Sequence, residues 1–489
     1  MTGFALLILL PLIASGICYF LKSLKAAYFI SLGVSVLHLL ISFLIFLAWY
    51  QPDLPAFLST DALSKLFLLV LSNVYFWVTF ISLSFLKRVN TAKEQGSKKY
   101  YFLFLNLYLA SNTVAILSNH FGMYWVAAEA TTLSVAPLIY YYRNEEALEA
   151  MWKYLFVVSV GIAFAFIGIL FLTLSATGTS LEGEQLFFSE FLKKAVELNP
   201  VWLKASFIFI FVGLSTKIGI APVHYGDIDA TSNAPSPIAA LMSGSLRLTA
   251  LIGVLRIFQI MVPTSSYGFA RTILIIGGML SLFVAFLSMF KVSNYKRLLA
   301  YSSVEHLGII ILGIGTGGLA FIGAMYHVIY NSLNKMVLFF NAGNIHHKYK
   351  SREISKVSSV LSLMPLTGWL FLISLFAISA APPFGIFFSE LMIFRGILFS
   401  AHPWLIAVVM FLLLFIFINM FRLLLRMLYS KEDNNDTTGI RSPDGKENFD
   451  IVHFSSIILL AMLIAIAIFS PDVLVRNIMS ISQDFGIKL

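Results

Sequence analysis

Long apolar runs separated by short polar segments make up most of the chain. A helix needs about 20 apolar residues to cross a bilayer, and about fourteen runs approach that length. Two of them, 361–385 and 387–399, adjoin a Pro-Pro pair and are interpreted as one broken span. The other predicted spans are 3–21, 27–48, 63–86, 101–118, 121–141, 154–175, 203–223, 236–259, 269–290, 299–316, 319–342, 404–428 and 452–471. The pattern predicts an all-α, polytopic membrane protein.

Three polar or weakly apolar segments do not fit this pattern. Residues 180–200 are predicted to form either a short amphipathic helix on the outer surface or a plain surface loop. Residues 430–448 are polar and punctuated by glycine and proline, which predicts a flexible loop. The tail, 472–489, is weakly amphipathic and is predicted to lie at the membrane interface. The first apolar run lacks a basic leading region and a clear cleavage site, so we expect it to be retained as a helix.

Lysine and arginine concentrate in alternate loops. They follow the first, third, ninth, eleventh and thirteenth spans, whereas the loop 49–62 has two aspartates and no basic residue. Because basic loops stay on the cytoplasmic side, this bias places both termini outside. The chain is therefore expected in a bacterial inner membrane.

Composition narrows the function classes. Charged residues make up 12% of the chain and hydrophobic residues 59%, against about 25% charged in soluble domains. The net charge of +9 is spread over loops without a basic stripe, so no nucleic-acid partner is expected. The single cysteine, Cys18, excludes a cysteine-ligated iron–sulfur cluster, a cysteine-based zinc site and an internal disulfide. No cofactor, metal or catalytic centre is expected in this chain.

Five ionisable residues stand inside predicted spans, where they are costly and therefore indicate function. They are Glu129, Lys217, His327, Lys335 and Glu390. The alternative is that Glu129 and a lysine form a structural ion pair that fixes helix packing.

His327 and Lys335 are eight positions apart and share a helix face. Asn331 and Asn334 fall between them and offer hydrogen-bonding steps along that face. Such a row is typical of a hydrated polar track.

Prolines interrupt two of the spans near these charges. Pro222 leaves the carbonyl of Ile218 without a helical donor, next to Lys217, and Pro382 and Pro383 do the same in the other half of the chain. Interrupted helices in both halves indicate a transport site between inverted repeats. A simple packing kink is the alternative for either proline site alone.

Several motifs between roughly residues 100 and 400 carry a family resemblance. They read "WVAAEATTLS", "EALEAMWKYLFVVSVGIAFAFIGI", "TKIGIAPVH" with "APSPIAALMSG", "YKRLLAYSSVEHLGI", "NSLNKMVLFFNAGNI" and "APPFGIFFSELMI". In this order they resemble the antiporter-like subunits of respiratory complex I, Mrp-type cation antiporters and group-four membrane hydrogenases. Within that superfamily the chain looks most like the F component of hydrogenase-four-type complexes.

The resemblance implies a domain organisation. Two inverted five-helix repeats, each with a broken helix, would span 101–260 and 265–428. A three-helix segment, 1–100, would precede them. A polar loop, a last transmembrane helix and an interfacial tail, 429–489, would follow.

The resemblance also implies roles along a proton relay. Glu129 would tune Lys217, which holds and releases the proton in the first repeat. Lys335 and Glu390 would be the central lysine and terminal acid of the second repeat, and His306 and His327 polar residues that link the two halves. Burial favours the neutral form of a lysine and a nearby carboxylate favours the charged form, so such a pair can switch. The secondary candidates are His224, Asp227, Asp229, Arg247 and Asn331.

One segment departs from the family pattern. After A-P-V-H the family usually reads T-W-L-P-D-A-H-S-E-A-P-S-P, whereas this chain reads "YGDIDATSNAPSP". Asp229 is kept, Asp227 is an added acid, and the usual histidine and acid are missing. The family's lysine in the eighth helix is also absent, with Arg247 standing beside its expected position. We therefore expect an altered route between the two repeats.

Three functions remain open. The first is a proton- or cation-translocating subunit of an energy-coupling complex, such as a proton-pumping hydrogenase or quinone reductase. The second is the membrane partner of an inorganic-carbon uptake complex, and the third is a structural scaffold with an inactive channel. The partners would be other membrane subunits and a soluble redox or zinc-binding protein. The Lys, His and Glu relay favours protons over sodium.

Overall fold

The computed structural model describes residues 2–50, 55–88, 92–183, 185–429 and 447–487. These residues fold into helices joined by short loops, with no β-strand among them. The N-terminal helices are α1 (Thr2–Phe20), α2 (Leu24–Phe46) and α3 (Ala62–Arg88). The next are α4 (Ala92–Leu117), α5 (Phe121–Ile139), α6 (Glu145–Ser175), α7 (Phe188–Lys193), α8 (Pro200–Ile218), α9 (Tyr225–Asn233), α10 (Ser236–Leu241) and α11 (Arg247–Met261). Then come α12 (Tyr267–Met289), α13 (Tyr295–Thr316), α14 (Leu319–Tyr349), α15 (Val360–Leu363), α16 (Pro365–Ile378), α17 (Gly385–Leu398), α18 (Leu405–Tyr429), α19 (Ile451–Phe469) and α20 (Asp472–Asp484).

The helix order confirms the all-α membrane fold. Within the described ranges, ten helices are long and apolar enough to cross a membrane by length and composition. The remaining predicted spans are α1, α5, α14 and the pair α16–α17, which are shorter or carry more polar residues. Each predicted span therefore has a helix in the expected place.

Helix ends extend beyond the apolar runs. α4 begins at Ala92 rather than residue 101, α6 at Glu145 rather than 154, and α14 runs on to Tyr349 rather than 342. Hydropathy marks only the part of a helix that meets lipid, whereas backbone hydrogen bonding continues into the polar interface. Asn144 caps α6 by accepting a hydrogen bond from the Ala147 N–H, which fixes its start in the polar loop.

Both five-helix repeats pack their helices in the same order. The first helix lies on the second, α4 on α5 and α12 on α13, and the third lies on the broken fourth, α6 on α8 and α14 on α16 and α17. α6 and α8 can approach closely because Gly213 has no side chain. A Cβ at this position would lie 2.4 Å from the Gly161 carbonyl oxygen, which is too close. This contact sets α8 against the α6 face that carries Gly161, whereas Ser159 of α6 bonds Glu129 of α5.

The two predicted breaks are confirmed. α8 ends at Ile218, and Gly219 takes the left-handed conformation (φ 82°) before the chain resumes at α9. The Ala221 N–H in this gap donates to Ser281 Oγ of α12 at 3.1 Å. Between α16 and α17, the Ala381 N–H turns back to the Phe376 carbonyl at 3.1 Å. Unwound backbone is tolerated at membrane depth because protein groups satisfy it in this way.

Arg256 of α11 ties the first repeat to α3. Its guanidinium donates to both carboxylate oxygens of Asp61, just before α3, with Nη2 2.8 Å from Oδ1. Burial by itself would raise the pKa of Asp61, but the Arg256 charge and the hydrogen bonds outweigh it and lower the pKa to about 2. The pair is therefore ionised over the physiological range.

The segments outside the spans differ in part from expectation. In the described part of 180–199, the helical segments are α7 and a 3₁₀ turn at Ala195–Glu197, so the predicted amphipathic helix is shorter than expected. Residues 430–446 of the predicted flexible loop lie outside the described residues. The tail does form a helix, α20, and its buried Leu474, Ile478 and Ile481 pack on α3 and α14.

Candidate functional site

Lys217 ends its helix in a pocket of neutral oxygens. The side chain is fully buried near the end of α8. Its ammonium donates to the Ala128 carbonyl, to Thr131 Oγ1 and, at 3.1 Å, to Thr132 Oγ1, all on α5. These partners solvate the charge without neutralising it.

Glu129 stands beside this pocket without entering it. Ser159 of α6 donates to its Oε1 at 2.7 Å, and its Oε2 is buried without a hydrogen bond. Glu129 directly follows Ala128, whose carbonyl accepts from Lys217, yet none of the ion pairs among the described residues joins Glu129 to Lys217. The alternative of a structural ion pair between Glu129 and this lysine is therefore not what the geometry shows.

Lys335 repeats the arrangement in the second half. It is fully buried in α14, and its ammonium donates to the Leu299 carbonyl at 3.0 Å and to Ser302 Oγ at 2.5 Å. Both acceptors lie on α13, the second helix of that repeat, as α5 is of the first. Each repeat thus holds one lysine on a carbonyl and hydroxyls of its second helix.

Glu305 is a residue that the sequence reasoning missed. It lies on α13, is 7% exposed, has an Oε2 without a partner, and acts electrostatically on Lys335. In the motif that contains it, only His306 is predicted as a site residue. The signal was present, since Glu305 is an acid inside an apolar span like the five residues that were singled out.

A chain of hydrogen bonds runs through both histidines. His306 Nδ1 lies 2.9 Å from His327 Nε2, and His327 Nδ1 lies 2.9 Å from Ser389 Oγ of α17. Each neutral ring carries one proton, so the chain has two consistent proton arrangements, which differ in whether the Ser389 hydroxyl donates to the Ile386 carbonyl or to His327 Nδ1. Glu390 follows Ser389 directly and is also buried.

The asparagines of α14 divide between two roles. Asn331 lies between His327 and Lys335, and its Oδ1 is buried without a hydrogen bond. Asn334 instead binds Ser374 of α16, donating to its carbonyl at 3.0 Å and accepting from its hydroxyl at 2.6 Å. Asn334 therefore fixes the broken helix and is not a step toward Lys335, contrary to expectation.

The two charges that depart from the family pattern pair with each other. Arg247 Nη2 lies 2.5 Å from Asp227 Oδ2, and both side chains are buried. Arg247 directly follows a π-helical turn, Met242–Leu246, that joins α10 to α11, and such turns often mark functional positions. A Cβ on Gly219 would lie 2.8 Å from Asp227 Oδ2, so the ion pair touches the break that follows Lys217.

Asp229 belongs to a different group from Asp227. It faces Lys153 at 3.4 Å and Arg297 at 3.0 Å. These residues line a polar cavity of about 560 Å³ that opens between the repeats and also contains Tyr301. His224, in the gap between α8 and α9, lies near the Tyr301 ring, and its Nδ1 is buried without a partner.

Comparison with known proteins identifies the scaffold that carries these groups. Residues 118–416 match the family described as NADH:quinone oxidoreductase/Mrp antiporter, transmembrane. The chain belongs to this antiporter family. It is a multi-pass membrane subunit of the type found in complex I, Mrp and hydrogenase-4 assemblies.

Relatives of this antiporter-family subunit come from several kinds of complex. The chain is 32% identical over 395 residues to a Hydrogenase-4 component F homolog of Methylacidiphilum infernorum (isolate V4), covering 79% of this chain and 82% of that protein. It superposes with a TM-score of 0.84 on a subunit of the archaeal membrane-bound sulfane sulfur reductase, at 23% identity, covering 99% and 98% of the two chains. A subunit of the Mrp complex from Dietzia sp. DQ12-45-1b gives the same TM-score at 16% identity, covering 100% and 98%. The two structures support the fold alone.

The family fold accounts for the position of the departing segment. "YGDIDATSN" forms α9, the second half of the first broken helix, and so faces both repeats. Asp227 and Asp229 point in different directions, because residues two positions apart on an α-helix lie on nearly opposite sides. The altered sequence therefore changes the buried pair through Asp227 and the cavity through Asn233, which stands where the family usually has an acid.

Proposed function

We propose that this antiporter-family subunit moves protons across the membrane through two buried lysines, as part of a larger energy-coupling complex. The observation that carries the proposal is the matched setting of Lys217 and Lys335. Each ammonium is fully buried and binds only a carbonyl and hydroxyls of its own repeat, while a carboxylate stands close without binding it. A lysine held in this way can be charged or neutral with little rearrangement, because neither state leaves a buried counter-charge bound to it.

The Asp227–Arg247 pair supports a connection between the two lysines. Asp227 touches the helix break at Gly219, two residues after Lys217. Arg247 acts electrostatically on Lys335. A change of charge on one lysine would therefore alter the electrostatic potential at the other through the intervening ion pair. This pair would replace the lysine that the family places in the eighth helix.

Beyond Lys335 the proposed path continues along α13 and α14. Glu305 lies next to His306 in sequence, and His306 is hydrogen-bonded to His327. Switching the two-histidine chain between its two proton arrangements moves a proton from one end to the other. Glu390 then receives the proton beside the second helix break.

The polar cavity supports access from one membrane surface. Asp229 and Tyr301 line it, and His224 lies between Tyr301 and the first break. The basic segment that follows α12 borders the same cavity. By the positive-inside rule, the cavity then opens to the cytoplasmic side, and both termini lie outside.

Protons fit the path better than sodium. The groups along it are lysines, histidines, an arginine and the acids Glu305 and Glu390. The cationic groups repel a second cation, and the described residues of the path form no obvious oxygen cage for sodium. Lysine and histidine, in contrast, bind and release protons directly.

The proposed partners are other membrane subunits and a soluble redox or zinc-binding protein. Homologues are subunits of multi-subunit membrane complexes. Affinity purification of the tagged chain from a bacterial inner membrane, with mass spectrometry and metal analysis, tests this. Recovery of the chain by itself under mild solubilisation would contradict it.

Lys217→Ala and Lys335→Ala test the relay. Each should abolish proton flux in proteoliposomes containing the purified complex, without loss of the subunit from the complex. Lys204→Ala, on the same helix as Lys217 but partly exposed, is the matched control and should keep wild-type flux. Wild-type flux in either of the first two variants would refute the assignment, and flux driven by a sodium gradient alone would change the ion.

A further inference from the structure

Two histidines and a glutamate converge inside the second repeat. One ring nitrogen each of His306 and His327 and one carboxylate oxygen of Glu390 lie within 4.8 Å of one another. All three side chains are buried. We propose that these three side chains form a binding site for a divalent transition metal of the zinc class.

The donor set fits such an ion. Two neutral imidazoles and one carboxylate, with a fourth position left for water, are the ligands of open tetrahedral zinc sites. Calcium and magnesium prefer sites built from oxygen alone, and copper(I) prefers sulfur. The cluster therefore selects a borderline ion such as Zn²⁺ or Co²⁺.

The distances require only a small adjustment. His306 Nδ1 and His327 Nε2 are 2.9 Å apart. Two nitrogens bound to one tetrahedral zinc at about 2.0–2.1 Å lie roughly 3.3 Å apart. A shift of the His327 ring by a few tenths of an ångström opens that space, since this ring is held by the side chains of His306 and Ser389.

Ser389 orients one of the ligands. Its hydroxyl donates to the Ile386 carbonyl at 2.9 Å and lies 2.9 Å from His327 Nδ1. A hydroxyl that donates elsewhere accepts from the Nδ1–H, which leaves the lone pair of His327 Nε2 directed at the site. Metal-bound histidines are commonly held by such a partner.

The surroundings can also balance the charge of the ion. Metal binding displaces the proton of a ligating carboxyl group, so bound Glu390 supplies one negative charge, and the buried Glu305, next to His306 in sequence, supplies a second when it ionises. A dication in the apolar interior is otherwise too costly to bind. Two carboxylates offset its charge.

Titration of the purified, metal-free full-length chain with Co²⁺ tests the site. We expect one equivalent of Co²⁺ to give the strong visible absorption bands of a four-coordinate ion, and Zn²⁺ to displace it. Ser389→Ala should weaken binding roughly 10- to 100-fold, the usual effect of removing an orienting partner. His327→Gln and Glu390→Gln, which remove ligands, should weaken it more than this.

His38 provides the matched control. It is another fully buried histidine, on α2, and is held by Ser72 at 2.9 Å and Thr113 at 3.0 Å. His38→Gln should leave the Co²⁺ affinity unchanged. The absence of saturable, four-coordinate Co²⁺ in the wild-type chain would overturn the proposal. Unchanged affinity in either ligand variant would also overturn it.

A functional consequence follows separately. If the two histidines carry protons as proposed, bound Zn²⁺ should inhibit flux, and this consequence rests on the proposed function. The Co²⁺ spectrum does not depend on transport, so failure of the relay and failure of the metal site give different results.

Discussion

The buried pair of Asp227 and Arg247 offers a sharp test of how the two repeats are joined. Three variants separate its contributions: Asp227→Asn, Arg247→Met and the double replacement Asp227→Leu with Arg247→Met. The first two each leave one polar or charged group without its partner. The third replaces both charges by apolar groups of similar size.

The structure sets the expected magnitudes. The side chains are 0% and 1% exposed, with Nη2 and Oδ2 2.5 Å apart. With charge centres about 4 Å apart, the attraction is about 4 kcal/mol at an effective dielectric constant near 20, and desolvation costs several kcal/mol per ion. The attraction does not offset two desolvation costs, so the pair adds no stability over two well-packed apolar groups, whereas leaving one charge alone costs about 3–5 kcal/mol in the free energy of unfolding.

The two single variants should differ in severity. Arginine keeps its charge, so Asp227→Asn leaves a buried guanidinium that cannot become neutral. Arg247→Met leaves a carboxyl group that can take up a proton. We therefore expect Asp227→Asn to cost more than Arg247→Met, and the double variant to regain most of the lost stability.

Denaturing-detergent titration of the purified chain measures the free energy of unfolding of each variant against the wild type. Glu190→Gln is the control, because it breaks an exposed ion pair in which Glu190 is 40% and Lys193 69% exposed. This variant should cost less than about 1 kcal/mol. Additive costs below about 1 kcal/mol for each single variant would refute the reasoning. In proteoliposomes the stable double variant should lack proton flux, and wild-type flux there would remove the pair from the relay.

Two further predictions concern backbone and surface electrostatics. Gly219→Ala should lower the free energy of unfolding by more than Gly178→Ala. Both glycines have positive φ (82° and 76°), but only the first added Cβ meets a neighbour, Asp227 Oδ2 at 2.8 Å. Equal unfolding midpoints for the two variants would show that the Asp227 side chain moves aside at no cost and would contradict the prediction. Arg256→Met should destabilise the chain by about 2 kcal/mol at neutral pH, since the pair with Asp61 is partly buried. Because Arg256 lowers the Asp61 pKa from its usual 3.8 to about 2, this stabilisation is complete above pH 4. The difference between wild type and variant should shrink as the pH falls from 4 to 2, and a difference that grows would contradict the sign.

Some of the candidate site could be read from single residues. Lys217, Lys335 and Glu390 were identified because a charge inside an apolar run is costly wherever the helix points. The same rule also indicates a functional role for Glu305, the neighbour of His306. The spacing of residues on a helix gives the direction of a side chain only to within about a quarter turn, so it did not predict that Asn334 binds Ser374.

The pairings could not be read in this way. Asp227 and Arg247 were noted separately as departures from the family pattern, and nothing in their spacing of twenty residues predicts that they meet. The same holds for Lys217 and Thr131, which are 86 residues apart, and for the link from His327 to Ser389, which are 62 apart.

The sequence by itself determined the spans, their order, the two helix breaks and the charges at membrane depth. Lipid offers no hydrogen bonds, so every span must be a helix of fixed minimum length, and each exception must be marked by proline or a polar residue. Only the tertiary structure decided which oxygens hold each lysine, that the two unusual charges pair, and that two histidines and a glutamate converge. These contacts depend on the rotation and close approach of helices, which small differences in side-chain packing set across the whole bundle and which no local pattern of polarity records.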